Sequence, residues 1–112
     1  MASVSIIYSR KCKKTMDAVT WIDDDWIVGN PPILGPMTQS TWLGSLVFDG
    51  ARRIHGKYPD LDLHCERLIK SSESMGLKSP KSASEILDIC MEGCLRFDSD
   101  QDLYIKPLIW AE

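Results

Sequence analysis

The stretch that most limits what this chain can fold into is residues 47–68, VFDGARRIHGKYPDLDLHCERL, where a strand-like run passes through a turn into a helix. Strand side chains alternate between faces, so Phe48, Gly50 and Arg52 fall on one face of a sheet and Val47, Asp49 and Ala51 on the other. A glycine inside such a run marks a place where another group comes close to the backbone. The turn His55-Gly56-Lys57-Tyr58-Pro59-Asp60 returns the chain, and Asp62 is expected to cap the helix that follows. In that helix Leu61, Cys65, Leu68, Ser72 and Met75 recur at the spacing of one buried stripe, and Gly76 supplies a stop. Arg67 lies about 100° from Leu68 around the axis, so its guanidinium projects sideways from the core. A helix that starts beside a strand is a natural anion site, which makes Arg67 the first candidate binding residue.

The remaining sequence supplies elements for that unit to pack against. Residues 18–22 and 26–28 are β-branched and aromatic runs separated by Asp23, Asp24 and Asp25, which predicts a hairpin with an acidic turn. These aspartates lack the alternating ligands, the glycine and the final glutamate of a calcium loop. Residues 29–36 carry three prolines and two glycines and read as a loop, after which Thr38 is expected to cap a short helical turn through Trp42 and Leu43. Residues 45–53 resume a strand. Ser82-Ala83-Ser84-Glu85 is a capping box that opens a second helix, with Ile86, Ile89, Cys90, Gly93, Cys94 and Phe97 as its apolar face. Asp98, Ser99 and Asp100 end it. Residues 103–110 form a last strand with Tyr104 and Lys106 on one face, and Pro107 implies an edge position, a bulge or a missing ladder bond. Two or three strands, two helices and a final strand predict an α+β fold, a mostly antiparallel sheet with two helices packed on one face.

A chain of 112 residues, 44% hydrophobic and 26% charged, suits one soluble domain, and no apolar run reaches the roughly 20 residues that a membrane helix needs. The net charge of −3 is uneven: Arg10, Lys11, Lys13 and Lys14 give the first fourteen residues +4, which leaves −7 for the rest. That balance argues against nucleic-acid or membrane partners, and residues 1–17 are read as a flexible basic N-terminal tail. Residues 3–8 are too short and too polar for a secretory segment, so the protein is expected in the cytoplasm. Cys12, Cys65, Cys90 and Cys94 are irregularly spaced and read as reduced thiols in or near the core. Cys90 and Cys94 together with His64 and Cys65 lack the CxxC pairs of a zinc site.

Three motifs, in order, carry a family resemblance: Gly44-x-x-Val47-Phe48-Asp49-Gly50-x-Arg52, His64-x-x-Arg67-Leu68 followed by Ser71 and Ser72, and Tyr104-Ile105-Lys106-Pro107-Leu108. At these residues the chain resembles the class IV aminotransferases, the fold-type IV pyridoxal-phosphate enzymes that include branched-chain aminotransferases. The resemblance covers residues 18–112 and implies the family's N-terminal small domain alone, a truncated form in which the large domain and its Schiff-base lysine do not appear. It implies that Arg67 contacts the cofactor phosphate, that Phe48 and Gly50 line the substrate side of the pocket, and that Tyr104 sits at the substrate's carboxylate or side-chain end. Lys106 falls where branched-chain enzymes commonly carry arginine, and Leu43 where they commonly carry tyrosine, which loses a planar fork and a phenolic hydrogen bond. From the sequence, Glu66 or Asp62 are the expected ion-pair partners of Arg67. His64 is expected to order that arginine or the loop, and His55 to be solvated.

What the resemblance implies for function is amino-group transfer between an amino acid or amine and a 2-oxo acid or ketone. Pyridoxal 5'-phosphate would be held by the complete enzyme, with weak or absent binding by this chain alone, and no catalytic residue is expected here. The expected partners are a second copy in a homodimer, or a complementary chain carrying the large domain. Two alternatives are an aminodeoxychorismate lyase, with the same fold and cofactor, and a non-catalytic remnant or interaction module whose exposed final strand recruits a partner strand.

Overall fold

The computed structural model describes residues 2–9 and 18–112. In chain order the elements are β1 (Ala2–Ser9), β2 (Ala18–Ile22), β3 (Asp25–Val28), α1 (Gln39–Leu43), β4 (Leu46–Phe48), β5 (Ala51–Arg53), α2 (Leu61–Ser74), α3 (Ala83–Cys94) and β6 (Leu103–Trp110). The strands form one six-stranded sheet in the order β3-β2-β1-β6-β4, with β5 also paired to β6. Every pairing is antiparallel. The fold is therefore the expected α+β arrangement. Among the described residues no helix is long and apolar enough to cross a membrane.

The expectation of a tail over residues 1–17 does not hold for β1. Its backbone lies between β2 and β6, with Ile7 opposite both Val19 and Ile105. The run from Val4 to Tyr8 is rich in strand formers, and joining the sheet pairs two backbone edges that would otherwise be open. The basic run Arg10, Lys11, Lys13 and Lys14, and Cys12, lie outside the described residues. Strand β6 is also corrected: it runs between β1 on one side and β4 and β5 on the other, so the final strand is not an exposed edge that could recruit a partner. Pro107 is accommodated by the bulge option, because the register of β1 shifts between Val4 and Ile6 opposite it.

The β2–β3 hairpin turns through Asp23 and Asp24, with φ of 52° and 62°, and pairs Ile22 with Asp25. Two central residues at positive φ are the type I′ geometry that matches strand twist, and aspartate tolerates it better than most side chains. The strand expected over residues 45–53 is interrupted. Leu46–Phe48 pairs with one half of β6 and Ala51–Arg53 with the other, while Asp49 N–H donates to Pro107 O at 3.2 Å between them.

Helix α3 opens with the expected capping box: Ser82 Oγ accepts from Glu85 N–H at 3.2 Å, and Glu85 Oε1 accepts from Ser82 N–H at 3.1 Å. Its last helical residue, Cys94, precedes Phe97 and the expected stop at Asp98. Helix α2 begins differently from expectation. Its N-cap is Asp60, at φ 55° with no side-chain cap bond, and Asp62 sits inside the first turn, where its charge still favours the helix dipole. Thr38 precedes α1, but its hydroxyl accepts from Gly35 N–H at 3.0 Å rather than from the helix.

Both long helices cover the same sheet face. Leu61, Cys65 and Leu68 of α2 and Ile86, Cys90 and Cys94 of α3 pack against Val19, Trp21, Ala51, Leu103, Ile105 and Ile109. Met75 leaves the stripe and is exposed. Cys65, Cys90 and Cys94 are free thiols in this core. The odd-numbered residues of β6 feed the core, which leaves Tyr104 and Lys106 on the face without helices.

Candidate functional site

The break between β4 and β5 is the centre of the site. Asp49, in the core-facing phase of the strand, is only 5% exposed, and a buried carboxylate needs partners. Helix α2 supplies them. Arg67 Nε donates to Asp49 Oδ2 at 2.6 Å and Arg67 Nη2 to Oδ1 at 2.8 Å, a two-pronged charge-assisted pair. His64 Nδ1 lies 2.7 Å from Asp49 Oδ1. His64 and Arg67 are three apart on one helix, so both reach the same carboxylate.

Burial works to raise the Asp49 pKa, but the hydrogen bonds and charges of Arg67 and His64 more than offset it and hold the carboxyl below the ordinary aspartate value. Asp49 in turn raises the pKa of Arg67. An ionised carboxylate only accepts, so His64 Nδ1 carries its proton toward Asp49. The 3.3 Å approach of Arg67 Nη2 to His64 Nδ1 is then a contact between two donors.

Arg67 is thus held along one edge of its guanidinium. Its side chain remains 65% exposed, and among the described residues Nη1 makes no hydrogen bond. It borders a shallow hollow of about 210 Å³ lined by Asp60, Leu63, His64 and Arg67. Neither Glu66 nor Asp62 pairs with Arg67. Both line a separate hollow with Ala83, Ser84 and Leu87 at the α2–α3 groove.

The other expected pocket residues gather on the helix-free face. Lys106 Nζ stands 4.4 Å from the centroid of the Phe48 ring, and Phe48 is 52% exposed. Gly50 lies under Tyr104: a Cβ at that position would sit 2.6 Å from the tyrosine hydroxyl. The glycine is there because the ring needs its space, as the sequence pattern implies. Phe48, Gly50, Tyr104 and Lys106 form one cluster, and Arg67 is on the other side of the strand, linked to it through Asp49 between Phe48 and Gly50. Leu43 ends α1 with its side chain largely in solvent.

Two functional neighbours escaped the sequence reading. Asp49 was assigned to the correct face, and a carboxylate in a core-facing phase was the available signal for a paired, positioning role. Arg53, the next core-facing position but one, is 3% exposed and donates to Gln101 O, Cys94 O and Asp98 O at 3.0, 3.2 and 2.5 Å. It ties β5 to the carbonyl end of α3 and the loop before β6, which fixes the strand that follows Gly50.

No family model matches the chain. A probable branched-chain-amino-acid aminotransferase from Rickettsia felis is 39% identical over 91 residues, 81% of this chain and 31% of that protein. A crystal structure of an aminotransferase from Brucella abortus bound to the cofactor PLP superposes with a TM-score of 0.78 at 39% identity, covering 100% of this chain and 35% of that one. Over its own length the chain is similar to the fold-type IV aminotransferases. A branched-chain aminotransferase from Thermoproteus uzoniensis, solved with norvaline, matches 82% of the chain at 26% identity and a TM-score of 0.74, over 32% of its own length. The chain spans about a third of the length of the relatives it matches.

Proposed function

We propose that this chain is the small-domain portion of a branched-chain-type aminotransferase that uses pyridoxal 5'-phosphate, with Arg67 as its phosphate contact. The observation that carries this reading is the half-engaged guanidinium: Nε and Nη2 are fixed by Asp49, and Nη1 is left at the edge of the hollow lined by His64. A cationic fork whose orientation is set before the ligand arrives loses little freedom on binding a phosphate monoester. Bound pyridoxal phosphate supplies the electron sink for amino transfer, and a lysine outside this chain is needed to attach it.

The chain's own residues would bind and orient. Asp49 and His64 hold Arg67; Phe48 gives the substrate pocket an apolar wall; Gly50 admits the Tyr104 ring; and Lys106, a point charge over that wall, is placed to attract a substrate carboxylate. In this reading the substrates are an amino acid or amine and a 2-oxo acid or ketone. The working form is a homodimer of the complete enzyme, or a pairing with a complementary large-domain chain, and three buried free thiols suit the cytoplasm.

The test is a chimera in which this chain replaces the matching third of the Brucella abortus aminotransferase. Amino transfer from a branched-chain amino acid to a 2-oxo acid is the expected result. Pyruvate release without an amino acceptor would replace transfer with the lyase chemistry. A folded, cofactor-loaded chimera that does neither would refute the reading.

A further inference from the structure

The Asp49–Arg67 pair creates an electrostatic difficulty for any anion site built on it. Asp49 cancels the arginine charge at a separation of 2.6 Å, and Asp60 adds a carboxylate to the same hollow. With His64 neutral, Arg67 and Asp60 at the hollow and the buried Asp49 behind Arg67 sum to a net negative charge. The titratable groups around His64 are Asp49 from the β4–β5 break, Asp60 from the turn before α2, and Arg67 on its own helix. Asp62 and Glu66 face the separate hollow beside α3, and on β6 Lys106 lies over Phe48 on the opposite face of the sheet. Among the described residues that line the hollow, His64 is the one that can add positive charge near neutral pH.

We propose that His64 sets the anion affinity of this site: its Nδ1–H holds Asp49 in the position that orients Arg67, and protonation at Nε2 supplies the charge that Asp49 cancels. This rests on the reading of Arg67 as a phosphate contact. The ligand class is a dianion such as a phosphate monoester. His64 is a positioning residue in both protonation states and an added cation in one. By linkage, a dianion bound at the hollow favours the imidazolium, and lowering the pH tightens binding of the dianion by the same factor.

Sulfate is the suitable probe, because it stays a dianion while His64 titrates and so removes the ligand's own protonation from the result. NMR titration of the cofactor-free Brucella chimera that carries this chain, following the Arg67 and His64 side-chain signals, gives the affinity at each pH. The dissociation constant should rise about tenfold between about pH 5.5 and about pH 8. His64→Asn keeps an amide N–H where Nδ1–H stands but cannot titrate, so its affinity should match that of the unaltered chain at high pH and stay flat as pH falls. His64→Leu loses the donor too and should bind more weakly than His64→Asn at every pH.

Sulfate binding with the same pH dependence in the unaltered chain and His64→Asn would overturn the proposal while leaving the Arg67 reading intact. Sulfate that moves neither the Arg67 nor the His64 signals would overturn both. If His64→Leu fails to fold, the comparison of the unaltered chain with His64→Asn decides alone.

Discussion

Gly50→Ala is a sharp perturbation because the structure states what the new methyl meets. An ideal Cβ at Gly50 would lie 2.6 Å from the Tyr104 hydroxyl oxygen and 3.3 Å from Cζ. Carbon–oxygen contacts close at about 3.3 Å, so the hydroxyl must withdraw by about 0.7 Å. With the hydroxyl about 6.5 Å from the Tyr104 backbone, that is a swing of roughly 6°, well inside the tolerance of a rotamer well. Gly50 is not among the positive-φ residues, so alanine meets no backbone strain there. The cost should therefore be a mild overpacking of about 1 kcal/mol rather than unfolding. On a chain of this length that lowers Tm by about 3–6 °C. The hydroxyl carries the clash, so Tyr104→Phe should relieve it. In the four-variant cycle measured by chemical denaturation, Gly50→Ala should cost about 1 kcal/mol less beside Tyr104→Phe than beside tyrosine. Additive costs would refute the account of Gly50 as room for the ring.

Arg53→Met should cost about 1–3 kcal/mol in denaturant unfolding, since it leaves the buried carbonyl of Cys94 and the partly buried carbonyls of Asp98 and Gln101 without their donor. Asp49→Asn should flatten the acid limb of stability. The folded Asp49 pKa lies below its unfolded value, so its contribution is present above about pH 4 and is lost as pH falls through the lower folded pKa. Unfolding free energies measured from about pH 2 to about pH 6 should fall less in Asp49→Asn than in the unaltered chain. Ser82→Ala removes the hydroxyl of the α3 capping box and should cost about 1 kcal/mol, with the loss visible in helix content on heating.

Local rules carried much of the fold. The Ser82/Glu85 box marked the start of α3 because both of its hydrogen bonds span only three residues. Alternation placed Phe48 and Gly50 opposite Asp49 and Ala51, and the three motifs selected the cluster on the helix-free face. What stayed hidden depends on distant partners. Strand β1 gains its place by pairing with its neighbour β2 and with β6 near the other end of the chain, and a short run beside a basic stretch carries no local sign of that second partner. The same pairing makes β6 central. Sequence proximity points Arg67 to Asp62 or Glu66 on its own helix, yet the bond goes to Asp49 eighteen residues earlier, where strand phase places a carboxylate toward the core. The cap of α2 was misplaced because Asp60 adopts a left-handed conformation that spacing rules do not anticipate.

The central claim is that Arg67, fixed by Asp49, recognises a phosphate. Its most direct test compares the affinities of pyridoxal phosphate and pyridoxal in the Brucella chimera, with Arg67 and with Arg67→Gln. Loss of a charge-assisted contact should weaken pyridoxal phosphate binding by about tenfold to hundredfold and leave pyridoxal unchanged. Equal losses for both ligands, or none for either, would contradict it.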